Sequence, residues 1–172
     1  MNAGRGSEQA AMKNSTTVER KSERELVVTR TIHGPARIVF EAFTKPELFR
    51  RWWVPKSFGL SLLSCELDVR VGGAYRLVFS HQGSEPMAFF GKYIEVTPHS
   101  RLVWTNDEAE GGGPVTTVTL EERGGKTLLV IHDLYPSKEA LEAGSGNTDA
   151  MPETLDQLDE LVVTLGASPG HS

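Results

Sequence analysis

Polar and apolar residues alternate along Leu67-Asp68-Val69-Arg70-Val71, break at Gly72-Gly73, and alternate again to Phe79. A period of two marks a strand with one buried face. The two glycines supply the positive φ of a short turn, so the stretch predicts strand, turn, strand. In the second strand Tyr75, Leu77 and Phe79 share one side. A curved antiparallel sheet with large aromatics on its inner face points to a chamber, and a chamber points to a ligand.

The same pattern predicts strands near 60–71, 73–81, 86–97, 100–106, 114–123 and 126–134, joined by glycine-, proline- and serine-containing turns into an antiparallel meander. Upstream, the β-branched run Leu26 to Ile32 predicts another strand, ended by His33-Gly34-Pro35. Two short helices follow, opened by Pro35 and Pro46. Val39, Ala42 and Phe43 form the apolar face of the first, and Leu48, Phe49 and Trp52 that of the second. A last helix is predicted over 149–165, where Met151, Leu155, Leu158, Val162 and Leu165 recur at helical spacing. Glu153, Asp156, Asp159 and Glu160 cover its other faces, read as solvated. The fold class is α+β: a curved antiparallel sheet wrapped around a long C-terminal helix, with two short helices after the first strand.

At 172 residues the chain has room for one domain, placed at 23–165. The polar stretch 1–22 reads as a disordered tail and 166–172 as a flexible one. With 38% hydrophobic and 24% charged residues, the class is soluble globular. A net charge of −5 with scattered Lys and Arg argues against nucleic acid or an anionic membrane as partner. No apolar run has the length of a signal peptide or membrane span, so a cytoplasmic location is expected. The single cysteine, Cys65, reads as a buried, inert thiol. The histidines share no ligand spacing, no nucleophile elbow is present, and no glycine turn leads into a phosphate-binding helix. No metal or cofactor is expected.

The element order, together with Val28 to Ile32, Val39 to Leu48, Trp52 to Pro55, Asp68 to Arg76, Gly91 to Val96, Arg101 to Trp104 and Thr117 to Leu120, resembles the START-like (SRPBCC, helix-grip) superfamily. Within it, the chain is similar to the family named for the activator of the heat-shock-protein-90 ATPase, including its small bacterial members. The resemblance covers roughly Glu25 to Leu165 and implies a helix-grip fold, with a stress-response setting as one expectation. Relatives usually open the last helix with Gly-Trp; here Ala150-Met151 stands at that place.

The candidate ligand-binding residues are Trp53, Tyr75, Phe79, Phe89, Trp104, His132, Met151 and Leu155. His132 is the notable titratable one. Alternation groups it with Leu128, Val130 and Leu134, and on a concave face it would be a neutral donor and acceptor in an apolar chamber. The plainer alternative is a core histidine bonded to backbone or water. Asp68 and Arg70 read as a structural ion pair beside the turn, and Arg76 as a surface residue.

Three functions compete. The first is binding of a small hydrophobic or amphipathic molecule between sheet and helix. The second, implied by the resemblance, is cochaperone-like regulation through a protein surface, with a chaperone or a second copy of the chain as partner. The related cochaperones carry an additional N-terminal domain that 1–22 is too short to replace. The third is cyclase- or hydrolase-type catalysis, which needs His132 to face inward; it ranks lowest, and no catalytic residue is assigned.

Overall fold

The computed structural model describes residues 16–54, 57, 59–81, 85–107, 112–144 and 151–167. Eight strands form one antiparallel sheet: β1 (Thr17–Arg20), β2 (Glu25–Ile32), β3 (Leu60–Leu67), β4 (Ala74–His81), β5 (Met87–Thr97), β6 (Arg101–Thr105), β7 (Val115–Arg123) and β8 (Lys126–Leu134). Their order is β1-β2-β8-β7-β6-β5-β4-β3, so the meander β3 to β8 closes back onto β2. Helices α1 (Ala36–Thr44) and α2 (Pro46–Trp52) follow β2, a short α3 (Lys138–Gly144) follows β8, and α4 (Met151–Ala167) ends the fold. The sheet is curved, and α4 with the two short helices gives the helix-grip arrangement that the sequence predicts.

Alternation along each strand decides which side chains face the helix. In β2 these are Leu26, Val28, Arg30 and Ile32, all buried. The inner row continues through Leu129 and Ile131 of β8, Val118 and Leu120 of β7, Leu102 of β6, Tyr93 of β5, and Tyr75, Leu77 and Phe79 of β4. The main core joins these to Ile38, Val39, Phe43, Phe49 and Trp52 of α1 and α2 and to Leu155, Leu158 and Val162 of α4.

Two groups seat α4. Gly34 lies so close under it that a Cβ there would stand 2.3 Å from Val162 Cγ1, so only glycine permits this approach. Arg30, 3% exposed on the inner face of β2, donates to Asp156 and Asp159 of α4, the latter at 3.0 Å. Asp159 also accepts from the His33 backbone N–H at 2.8 Å and meets the His33 ring. Two carboxylates on a guanidinium, with further hydrogen bonds on one of them, are what a buried cation requires. The acidic face of α4 is therefore not simply solvated, as its sequence implies: Asp159 is buried. At the other end of the short-helix pair, Gln157 Nε2 donates to the Trp52 and Val54 carbonyls, both at 2.9 Å. This satisfies acceptors that the end of α2 leaves open.

The structure corrects the sequence reading elsewhere too. Residues 17–20, within the stretch read as a disordered tail, form β1 on the outer edge of β2. All four are exposed, so no apolar periodicity announced the strand. Helix α3 was not predicted. Among residues 138–143 it buries Leu141 alone, and Ser137 Oγ accepts from the Ala140 N–H at its start. Helix α4 runs on to Ala167, into the expected C-terminal tail, while positions 1–15, 145–150 and 168–172 lie outside the described residues.

The buried pair gives a contrast. Replacing Arg30 with Ala strands Asp159 in the core and is expected to lower the unfolding free energy by about 3 kcal/mol or more. Arg70→Ala, which removes an exposed pair with Asp68, is expected to cost under about 1 kcal/mol. Urea denaturation of both variants measures this, and equal losses would contradict the anchoring role of Arg30.

Candidate functional site

Helix α4 packs against β2, α1 and α2. Across the grip, β4 to β6 present an aromatic wall. Tyr75, Tyr93 and Trp104 form a triangle of rings with centroids 5.9, 6.3 and 6.3 Å apart, each pair inclined rather than stacked. Phe79 and Phe89 meet edge to face at 5.1 Å. Gly91 is the cross-strand partner of Tyr75. A Cβ at Gly91 would lie 2.9 Å from the Tyr75 ring and 1.9 Å from the Thr105 carbonyl oxygen, so this glycine makes room for the ring. Trp104, Phe89 and Met151 are half-buried and retain surface, whereas Tyr75 and Phe79 are buried. Cys65 opposes Leu77 on the same face, and burial pushes its thiol up to about 11, which keeps it protonated and inert. Burial also raises the Tyr93 phenol, with Cys65 and Asp68 adding in the same direction.

A polar chain crosses one end of this wall. Tyr75 Oη lies 2.9 Å from Asn106 Oδ1 and 2.8 Å from the Thr105 carbonyl. Asn106 Nδ2 donates to Thr116 Oγ1 at 3.0 Å and to the Pro114 carbonyl at 2.7 Å. Thr116 Oγ1 donates to Asp133 Oδ1 at 2.6 Å. The register makes a rung of it: Leu26 opposes Asp133, Asp133 opposes Thr116, Thr116 opposes Trp104, and Trp104 opposes Tyr93. The main core is one apolar cluster, and Leu26, Tyr135 and Leu141 form a second, smaller one. Asp133 shares a rung with Leu26 of the second and, through Thr116, with Trp104 of the first. Burial pushes its carboxyl above the ordinary carboxylate value; the Thr116 hydrogen bond and His132 work the other way.

Among the eight candidates, the structure brings Tyr75, Phe79, Phe89 and Trp104 together on the inner face. Met151 opens α4 and packs against the main core. Trp53 sits at the end of α2, stacked on Phe49 at 4.7 Å and edge-on to Trp52 at 5.3 Å. Leu155 is 0% exposed and is core rather than wall.

His132 is a correction. It points to the outer face, where its Nε2 lies 2.8 Å from Glu25 Oε2. The His132 hydrogen bond, with a smaller one from Ser22, lowers the Glu25 carboxyl pKa. Both phases of β8 are apolar, so alternation alone does not choose between them. The signal that does choose is the Gly124-Gly125 turn. It pairs Arg123 with Lys126 and so sets Val118 against Ile131 and Thr116 against Asp133. The more apolar phase of β7, Val118 and Leu120, then brings Asp133 inward and His132 outward.

A separate cleft of about 190 Å³ between α2 and α4 is lined by Arg51, Gln157, Glu160, Leu161 and Thr164. It is largely polar and lies away from the aromatic wall. No group of three or more potential metal ligands occurs among the described residues. No described helix is long and apolar enough to cross a membrane.

Residues 33–163 match the family described as activator of Hsp90 ATPase homolog 1-like protein. The chain belongs to that family. Among solved structures, a protein from Nitrosomonas europaea is 25% identical, with 87% of this chain and 100% of that chain covered at a TM-score of 0.76. One from Rhodobacter sphaeroides is 22% identical, with 87% and 99% covered at 0.78. A third, from Chromobacterium violaceum, is 28% identical, with 81% and 97% covered at 0.69. No curated protein matches the chain.

Asp133 gives a prediction with a definite sign. Its folded-state pKa is raised, so the folded protein holds the proton more tightly than the unfolded chain. The ionised form therefore weighs against folding, in full above the folded pKa and not below the unfolded value near 4. Asp133→Asn keeps an acceptor for Thr116 without the charge, while Thr116 on the inner face and His132 on the outer face, the two groups that act on Asp133, are unchanged. The variant is expected to melt higher than the parent at pH 7.5, with the gap closing toward pH 4. A lower melting temperature at pH 7.5 would overturn the desolvation argument.

Proposed function

We propose that the protein binds a small amphipathic molecule on the inner face of the sheet, between the aromatic wall and α4. The observation that carries this reading is the rung Trp104–Thr116–Asp133. A half-buried aromatic continues directly into a polar chain, the mixture of apolar wall and few convergent polar groups that ligand sites display. Tyr75, Phe89 and Met151 complete the apolar side. Most of the affinity comes from apolar burial, and the polar chain fixes orientation. The outward position of His132 removes the residue on which cyclase- or hydrolase-type chemistry was to rest.

Thermal-shift and native-mass screens of lipophilic metabolites, with N-phenyl-1-naphthylamine as a fluorescent probe, test the reading. Trp104→Leu is expected to weaken the probe about five- to tenfold. Roughly 50 Å² of lost contact at ~25 cal/mol per Å² is about 1.2 kcal/mol. His132→Ala, on the outer face, is expected to leave probe affinity unchanged. If no compound shifts the melting temperature and the probe stays dark, the reading is discarded.

The family membership supports a second reading, regulation of a heat-shock-protein-90 ATPase through a protein surface. Here the expected result is a raised ATPase rate of the chaperone from the same cell. An unchanged rate at saturating protein discards it.

A further inference from the structure

The polar chain has a direction, and its direction specifies the ligand's head group. Asn106 Nδ2 can only donate, so Thr116 Oγ1 accepts from it and spends its own proton on Asp133. Asn106 Oδ1 is in turn within reach of the Tyr75 hydroxyl. The hydrogen bonds therefore run toward Asp133 and end there, and bonds aligned this way polarise one another. Asp133 is the terminal acceptor. Among the described residues no Lys, Arg or His forms an ion pair with it, and no group bonds its second carboxylate oxygen. The other acids on inner or edge positions are differently placed: Asp159 has Arg30 and His33, and Glu25 has His132. Of these three, Asp133 alone has no cationic hydrogen-bond partner: it is half-buried, Thr116 holds one oxygen, and the neighbouring His132 acts on it only through space.

Along the same rung, Trp104 stands two strands from Asp133, about 10 Å between backbones at the usual strand spacing. An ionised carboxylate only accepts hydrogen bonds. A group seated on its second oxygen must donate, and a cation also relieves the charge that burial penalises. Aromatic faces beside such a group favour a cation further.

We propose that the ligand bound at this site is an amphipathic primary amine, its ammonium seated on the second oxygen of Asp133 and its apolar body lying along Trp104 toward Tyr93 and Phe89. This inference rests on the inner-face binding reading and narrows it to one chemical class. The ammonium donates to Asp133, while Thr116 holds the other oxygen. The apolar body needs a length of about four to six atoms to reach the Trp104 ring. An anionic head is excluded, because it would face Asp133 without a donor of its own.

Three probes with one body separate the possibilities: 4-phenylbutylamine, 4-phenylbutan-1-ol and 4-phenylbutyrate, titrated into the full chain at pH 7.5. Amide and indole NMR shifts at Thr116, Asp133 and Trp104 report the site, and titration gives the affinities. The expected order is amine, alcohol, acid, with the amine about tenfold or more tighter than the acid. Asp133→Asn is expected to weaken the amine about tenfold and leave the alcohol nearly unchanged, with its melting temperature showing that the variant is folded. If the amine binds Asp133→Asn as tightly as the parent, or the alcohol or acid binds the parent best, the inference is overturned. In that case N-phenyl-1-naphthylamine still lights up on the parent and the broader reading stands. If neither the naphthylamine nor any of the three probes binds, both fall together.

Discussion

A guanidinium placed inside an apolar layer dictates much of this molecule. Arg30 stands on β2 in phase with Leu26, Val28 and Ile32, at a position that by alternation should hold another aliphatic side chain. Its charge is tolerable there only if carboxylates come to it, and the two that do, Asp156 and Asp159, are both on α4. Hydrophobic packing is non-directional and would let the helix slide or rotate by a residue. The ion pair and the close contact between Gly34 and Val162 fix its register and height instead. Asp159 further holds the His33 backbone at the point where β2 turns into α1, so one carboxylate joins strand, turn and helix.

That attachment is one-sided, and the asymmetry positions the site. Helix α4 is pinned toward β2, α1 and α2, where Trp52 and Phe49 fill the space beneath it. The opposite arm of the grip, β4 to β6, finishes its inner face with aromatic rings of its own, and Met151 at the start of α4 packs against the same core. Of these rings only Phe89 and Trp104 keep surface of their own, whereas Tyr75, Phe79 and Tyr93 are buried like the aliphatic side chains under the helix. The polar rung sits where the sheet passes from one small cluster, Leu26, Tyr135 and Leu141, to the main core. A chain of hydrogen bonds there satisfies Thr116, which is buried, without any residue of α4.

The strands were legible because their signal is local. Alternation from Leu67 to Phe79, and glycine pairs at 72–73 and 124–125, state where chain direction reverses. What local pattern cannot state is which face of a doubly apolar strand turns inward. Leu128, Val130 and Leu134 are as hydrophobic as Leu129 and Ile131, so β8 read alone leaves the side of His132 open. The answer lay in register across a turn, which is non-local by one hairpin. Arg30 escaped for a related reason: an arginine between Thr29 and Thr31 looks like a strand's polar phase until its partners, more than 120 residues later, are brought to it. Strand β1 and helix α3 were missed because each buries almost nothing, and burial is what periodicity records.

The Gly72-Gly73 turn now has a more specific role than announcing a chamber. Gly72, at φ 86°, donates its N–H to the Tyr93 carbonyl, and the Tyr93 N–H returns a bond to the Gly73 carbonyl, both at 2.8 Å. The turn thereby clasps β5 and fixes Tyr93 relative to Tyr75 two residues beyond the turn. Tyr75 is committed at both ends, its ring lodged against Gly91 and its hydroxyl at the Thr105 carbonyl and Asn106. The wall is thus fixed by the fold itself, and little of it can adjust. Asp133 differs, since one of its oxygens is held by Thr116 and the other is bonded by no described residue. On the proposed binding reading, discrimination between ligands of similar shape comes from that end of the rung, where a carboxylate accepts hydrogen bonds, rather than from the aromatic wall.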